Sequence, residues 1–200
     1  TKFQEILPED VTSLLKKHHF SLMPSFYETQ SSFLTEIYKR YGDIQTANII
    51  LCFAKNTHLE ILRQREKNLN FNVSLERFWQ NQSVITKPSE KITSIVQGTG
   101  IPKETVRRKV KNLINTGFLT RNSNKGYSLT LSSKEKDSYF AIANNEIVNL
   151  SKFIAKFTKL FGLNLNTLLI QKELKLQFSF YWYHFLSCQL LWLMSWQKKL

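Results

Sequence analysis

Two hundred residues, 42% of them hydrophobic, are enough for one large domain or two small ones with a real core, which sets intrinsic disorder aside. Twenty-eight basic against fifteen acidic residues leave a formal charge of +13, which favours a polyanionic partner: nucleic acid or an anionic membrane surface. Cys52 and Cys188 form no CxxC pair, so two free thiols in a reducing cytoplasm are expected rather than a disulfide framework or zinc site, and the N-terminus lacks the pattern of a secretory signal.

Residues 9 to 70 read as helices. Phe33, Leu34, Ile37, Tyr38 and Tyr41 recur at helical spacing up to Gly42, and a second helix is expected from Ile44 to Lys67, burying Ile49, Ile50, Phe53, Leu59 and Leu62. An asparagine-rich break at 68–72 precedes a short helix around Leu75, Phe78 and Trp79. Another polar break at 132–137 precedes a helix from Tyr139 to Phe161. The last element, Asn166 to Trp196, is one long helix or two broken ones. A weak echo at an offset of 120 residues sets Phe33, Ile37, Lys39, Tyr41 and Gly42 against Phe153, Phe157, Lys159, Phe161 and Gly162. These boundaries divide the chain into an N-terminal helical segment (1–73), a central domain (74–136) and a C-terminal helical dimerisation or sensor segment (137–200).

The central region is the most informative. Lys87 to Lys136 holds eleven basic residues against three acidic ones, so a quarter of the chain carries most of the net charge. The stretch ITSIVQGTGIPKETVRRKVKNLINTGFL (92–119) reads in order as a short helix with Ile95 and Val96, a turn at Thr99 and Gly100, an apolar plug at Ile101 and a helix opening after Pro102. Val106, Val110, Leu113 and Ile114 form one apolar face of that helix; Glu104, Arg108, Lys111 and Asn115 lie opposite it, with Lys103, Thr105, Arg107 and Asn112 on the flanks. Gly117 is placed to stop the helix in a left-handed cap. A strand from Phe118 to Thr120, a polar tip from Arg121 to Gly126 and the alternation of Tyr127, Leu129 and Leu131 then read as a hairpin.

TGIPKETVRRKVKNLINTGFL resembles the recognition half of bacterial winged helix-turn-helix regulators, with the catabolite-activator-like and MarR-like groups nearest in pattern. The resemblance implies a mainly α fold: a central winged helix-turn-helix of three helices and a small β-hairpin wing, flanked by helical segments. It implies a sequence-specific transcriptional regulator that is not an enzyme, with the recognition helix 103–116 in the major groove of double-stranded DNA and the wing 120–128 on the backbone or minor groove. Lys103, Glu104 and Arg108 match the base-reading positions and Thr105 the phosphate-holding one. Arg107, Lys111, Arg121, Asn124 and Lys125 complete the expected interface. No Gly-rich β-roll for a cyclic nucleotide precedes the domain, so that kind of effector is not carried over. Long flanking helices resemble the MarR-type plan, in which they build a homodimer.

Leu176 to Gln197 carries no charged residue, between Lys175 and Lys198, and its 22 residues reach the length of a membrane span. Its polar residues Gln177, His184, Ser187, Gln189 and Ser195 argue instead for a core or dimer helix. The competing readings are thus a membrane-anchored or membrane-surface protein and an interaction adaptor whose winged helix no longer binds DNA. Aromatic density here also suits a ligand pocket, but plain core packing accounts for it, and no effector is assigned. His18, His19, His58 and His184 lack metal-ligand spacing, and no P-loop, Rossmann glycines, GxSxG or HExxH occurs, so no cofactor, metal or catalytic residue is expected.

Overall fold

A computed structural model describes residues 6–197. Among them the chain is mainly helical with one two-stranded antiparallel sheet: α1 (Pro8–Lys17), α2 (His19–Tyr41), α3 (Ile44–Lys67), α4 (Phe78–Val84), α5 (Ile92–Thr99), α6 (Lys103–Asn115), β1 (Leu119–Arg121), β2 (Tyr127–Leu129), α7 (Ser133–Thr158), α8 (Thr167–Leu176) and α9 (Phe178–Gln197).

The organising element is α3. Every residue from Thr46 to Ala54 is buried, and a helix apolar on most of its circumference is stable only when packed on several sides. One side, with Ala47, Leu51 and Ile61, enters a large cluster with Phe33 and Ile37 of α2, Phe78 of α4, Tyr139 and Ile147 of α7, and Trp182, Leu186 and Leu190 of α9. The other, with Ile49, Ile50 and Phe53, enters a smaller cluster with Ile95, Ile101, Val106, Val110, Leu113 and Leu119. The helix packed on α5 and α6 is therefore α3, from the segment before residue 74. The short helix expected near Leu75 is α4, and its Phe78 is buried in the large cluster instead.

Asp43 fixes the start of α3, accepting from the Thr46 backbone N–H at 2.8 Å and from its hydroxyl. Gly42 ends α2 at φ 80°. The echoed glycine, Gly162, stands at φ 72° after α7 and a short 3₁₀ turn, but the matched side chains differ: Phe33 is core whereas Phe153 is half-buried.

The expected C-terminal element is two helices. The break at Gln177 is stapled by the 73–75 segment: Leu75 N–H donates to the Lys175 carbonyl at 2.9 Å and Ser179 N–H to that of Val73 at 3.0 Å. α9 lies along α3 and buries Phe178, Trp182, Leu186, Leu190 and Leu193. Among the described residues no helix is long and apolar enough to cross a membrane, so the span considered for 176–197 is not built by α9. Its Gln189 is satisfied inside the core by a reciprocal amide pair with Gln30 of α2, at 2.5 and 2.8 Å.

Candidate nucleic-acid interface

The turn between α5 and α6 is built by side chains as well as by glycine. The Thr99 hydroxyl, fully buried, donates to the Ile95 carbonyl at 2.7 Å and accepts from Ile101 N–H at 3.3 Å. Gly100 takes φ 71°, and Ile101 drops into the smaller cluster at 1% exposure. α5 also approaches α3 closely: a Cβ on Gly98 would stand 3.0 Å from Cys52 Sγ. Burial pushes the Cys52 thiol up to about 11, the reading of an inert core residue.

α6 buries Val106, Val110 and Leu113, while Lys103, Glu104, Arg107, Arg108, Lys111, Asn112 and Asn115 are exposed and Thr105 is half-buried. Its end is closed as the sequence predicts. Gly117 is left-handed at φ 79°, its N–H donates to the Ile114 carbonyl, and Phe118 N–H donates to that of Leu113 at 2.9 Å.

One cation on α6 does not face outward. Lys109 Nζ lies 2.8 Å from Asp43 Oδ1 and 3.2 Å from the Thr46 hydroxyl, tying α6 to the α2–α3 turn. Burial raises the Asp43 pKa, but the hydrogen bonds from Lys109 and Thr46 outweigh it and hold the carboxyl below its ordinary value. The sequence signal for this role is position: Lys109 falls three residues after Val106 and one before Val110, on the margin of the buried stripe.

The hairpin pairs Leu119 with Leu129, Thr120 with Ser128 and Arg121 with Tyr127, and Glu90 bridges to Tyr127 from its other side. Arg121 thus sits in a strand, where the sequence reading put it at the tip, and β1 begins one residue later than expected because the Gly117 cap uses the Phe118 N–H. The tip is held by Asn122 N–H to the Gly126 carbonyl (2.8 Å) and Gly126 N–H to Asn124 Oδ1 (3.2 Å). Its left-handed residue is Lys125, at φ 61°, and not Gly126. Gly126 is needed for space, since a Cβ there would collide with Ser89 Oγ. Sequence reasoning missed the polar network beneath: Ser128 is buried, donates to the Pro88 carbonyl at 2.7 Å and accepts from Asn122 Nδ2 at 2.8 Å. Ser89 and Asn122 were legible only as loop residues.

Of the nine expected interface residues, Arg107 and Lys111 of α6 and Arg121 of β1 come together. They ring a groove of about 450 Å³ whose floor is Ile92, Val110, Ile114 and Tyr127. Arg107 also meets Glu104 at 2.7 Å, an exposed pair worth little in stability. Arg108 and Lys111 have no ion-pair partner among the described residues. Lys103 and Arg108 are both exposed on α6, Lys125 stands at the hairpin tip, and Asn124 spends its carbonyl oxygen on the tip itself. No group of described residues could hold a metal ion. No family model, curated protein or solved structure matches this chain.

Proposed function

We propose that α3, α5, α6 and the β-hairpin act as a winged helix-turn-helix that binds double-stranded DNA sequence-specifically, as the DNA-reading part of a homodimeric transcriptional regulator. The observation that carries this reading is the division of α6. Three apolar side chains anchor one face; Glu104, Arg108 and Lys111 on the opposite face, with Lys103 and Arg107 on the flanks, are exposed to solvent beside a cation-lined groove shared with the hairpin. In this role α6 enters the major groove. Arg108 donates a bidentate fork to guanine O6 and N7, and Glu104 accepts from cytosine N4. Lys111 and Arg121 neutralise phosphates, and Lys125 reaches the backbone or the neighbouring minor groove.

The conformation of Lys125 adds support. A lysine in the left-handed region costs about 1 kcal/mol or more that glycine or asparagine would avoid, and such strain is concentrated where a side chain has work to do. Selection from a random duplex pool followed by fluorescence anisotropy over a salt series tests the proposal. A consensus with two-fold symmetry and an affinity that falls steeply with salt are expected. Arg108→Ala relaxes the sequence preference, whereas Lys125→Ala weakens all duplexes about equally. An affinity indifferent to salt, or no enriched sequence, would overturn the reading.

A further inference from the structure

We propose that Arg107 is a positioning residue for base recognition: it holds the Glu104 carboxylate and so keeps Glu104 from pairing with Arg108, leaving that arginine free for a base edge. The inference rests on the DNA reading above and deepens it, giving Arg107, which that reading leaves without a role, a place in sequence selectivity.

Between residues 91 and 134 the chain carries nine basic side chains and one acidic one, Glu104. A carboxylate in a surface that meets phosphates is repelled by them, so its charge must be balanced nearby if it is to approach a base. Residues three and four apart are neighbours on a helix surface, which puts two arginines within its reach: Arg107 at i+3 and Arg108 at i+4. The choice between them decides what the face can read. An arginine whose fork is taken up by a carboxylate cannot offer it to guanine O6 and N7.

In the structure the choice falls on Arg107. Its Nη1 donates to Glu104 Oε1 at 2.7 Å, whereas Arg108 is exposed and has no ion-pair partner among the described residues. The surroundings favour the same choice. Arg107 shares the rim of the groove with Lys111 and Arg121, and its repulsion from those two cations is relieved by turning toward Glu104. The pair is exposed and adds little to folding, so its effect falls on recognition, where DNA displaces water and charge pairs strengthen. With Arg107 paired, α6 offers a held carboxylate and a free guanidinium about one helical turn apart; without it those two groups would neutralise one another.

Selection from a random duplex pool, with salt titrations of the selected duplex, tests this on the full chain as wild type, Arg107→Ala, Arg107→Lys, and Arg107→Ala combined with Glu104→Ala. Both side chains are exposed, so helicity and melting temperature should stay those of the wild type. Arg107→Ala should lose the cytosine preference, by about tenfold, and weaken the guanine preference severalfold, with the salt slope changed by well under one counterion. Arg107→Lys, which still reaches Glu104, should keep both preferences. In the double variant the guanine preference should return while the cytosine preference stays lost, because nothing then competes for Arg108. Intact base preferences in Arg107→Ala, with a salt slope lowered by about one, would make Arg107 a phosphate contact and overturn the inference, as would a double variant no better at guanine than the single one. A wild type that enriches no sequence removes the DNA reading and this inference together; a wild type that enriches one, with either of the other results, removes this inference alone.

Discussion

The two apolar clusters share one helix but treat polar groups in opposite ways. Around α5 and α6 the interior is aliphatic apart from Phe53, the buried Thr99 hydroxyl is paired, and the charged groups lie at or near the surface. The larger cluster takes polar groups inside. His58 is fully buried, stacked on Phe78 at 4.5 Å with Nε2 2.9 Å from the Tyr139 hydroxyl, which also accepts from Trp182 Nε1 at 2.8 Å. Glu146 is 1% exposed, and neither carboxylate oxygen has a hydrogen-bond partner. The smaller cluster therefore holds no titrating group in its interior and should respond little to pH until acid protonates Asp43 and weakens its tie to Lys109, while the larger one carries groups whose ionisation opposes the fold.

The largest expected effect tests whether the clusters are separable at all. Leu113→Ala or Ile101→Ala should cost about 2–5 kcal/mol, the range for emptying a packed aliphatic site. All four tryptophans, Trp79, Trp182, Trp192 and Trp196, lie outside the smaller cluster. If α3 couples the two, the denaturation midpoint followed by tryptophan fluorescence must move with the one followed by far-ultraviolet circular dichroism. A fluorescence midpoint that stays put would make the α5–α6 unit an independent domain.

The second effect sharpens the contrast in pH. Burial pushes the Glu146 carboxyl up to about 8, so between about 4.5 and 8 the folded state holds a proton that the unfolded state has released. Stability from this group is complete at low pH and is lost as pH rises through that window. Burial also lowers His58 to about 3, with the opposite consequence: the fold loses stability as pH falls from about 6.5 toward 3. Glu146→Gln should flatten the alkaline limb and raise stability at pH 9 by roughly 3 kcal/mol in urea titrations. An unchanged alkaline limb would show that Glu146 finds a partner in solution.

Much of the smaller unit was legible because its signals are local. Gly100, Ile101 and Gly117 each dictate a conformation within a few residues, and the apolar stripe of α6 follows from helical spacing. The double role of α3 was not, because Ile49 and Ile50 meet residues some 50 positions later, and a run apolar on all sides says only that the helix is buried. Glu146 had a readable signal: it follows Tyr139 by seven positions and Ala143 by three, on the core stripe of α7. The pairing of Gln30 with Gln189 had none, since an amide shows its partner only once the helices are packed.

A smaller effect concerns the tie between the regions. Lys109→Met keeps the aliphatic stem on α6 but removes the ammonium from Asp43, which then loses a charge-assisted hydrogen bond worth about 1–2 kcal/mol. Because Lys109 is only partly exposed and points away from the groove-facing side, DNA affinity should change by less than the loss from Lys111→Ala, as read by anisotropy at fixed salt. Equal losses would place Lys109 in the interface.

The smallest effect separates stability from binding at a single residue. Lys125→Gly removes the left-handed strain at the hairpin tip, while glycine also makes the unfolded chain more flexible, so the two terms nearly offset and the melting temperature should shift by no more than a few degrees. Lys125→Asn tolerates the same backbone conformation without glycine's flexibility and should be slightly stabilising. Both remove the cation, so both should weaken duplex binding and lower the salt slope by about one counterion. If the tip lysine is kept for a phosphate, stability and affinity move apart in both variants; if affinity is untouched, the strain at Lys125 belongs to the turn and the hairpin does not touch the DNA backbone there.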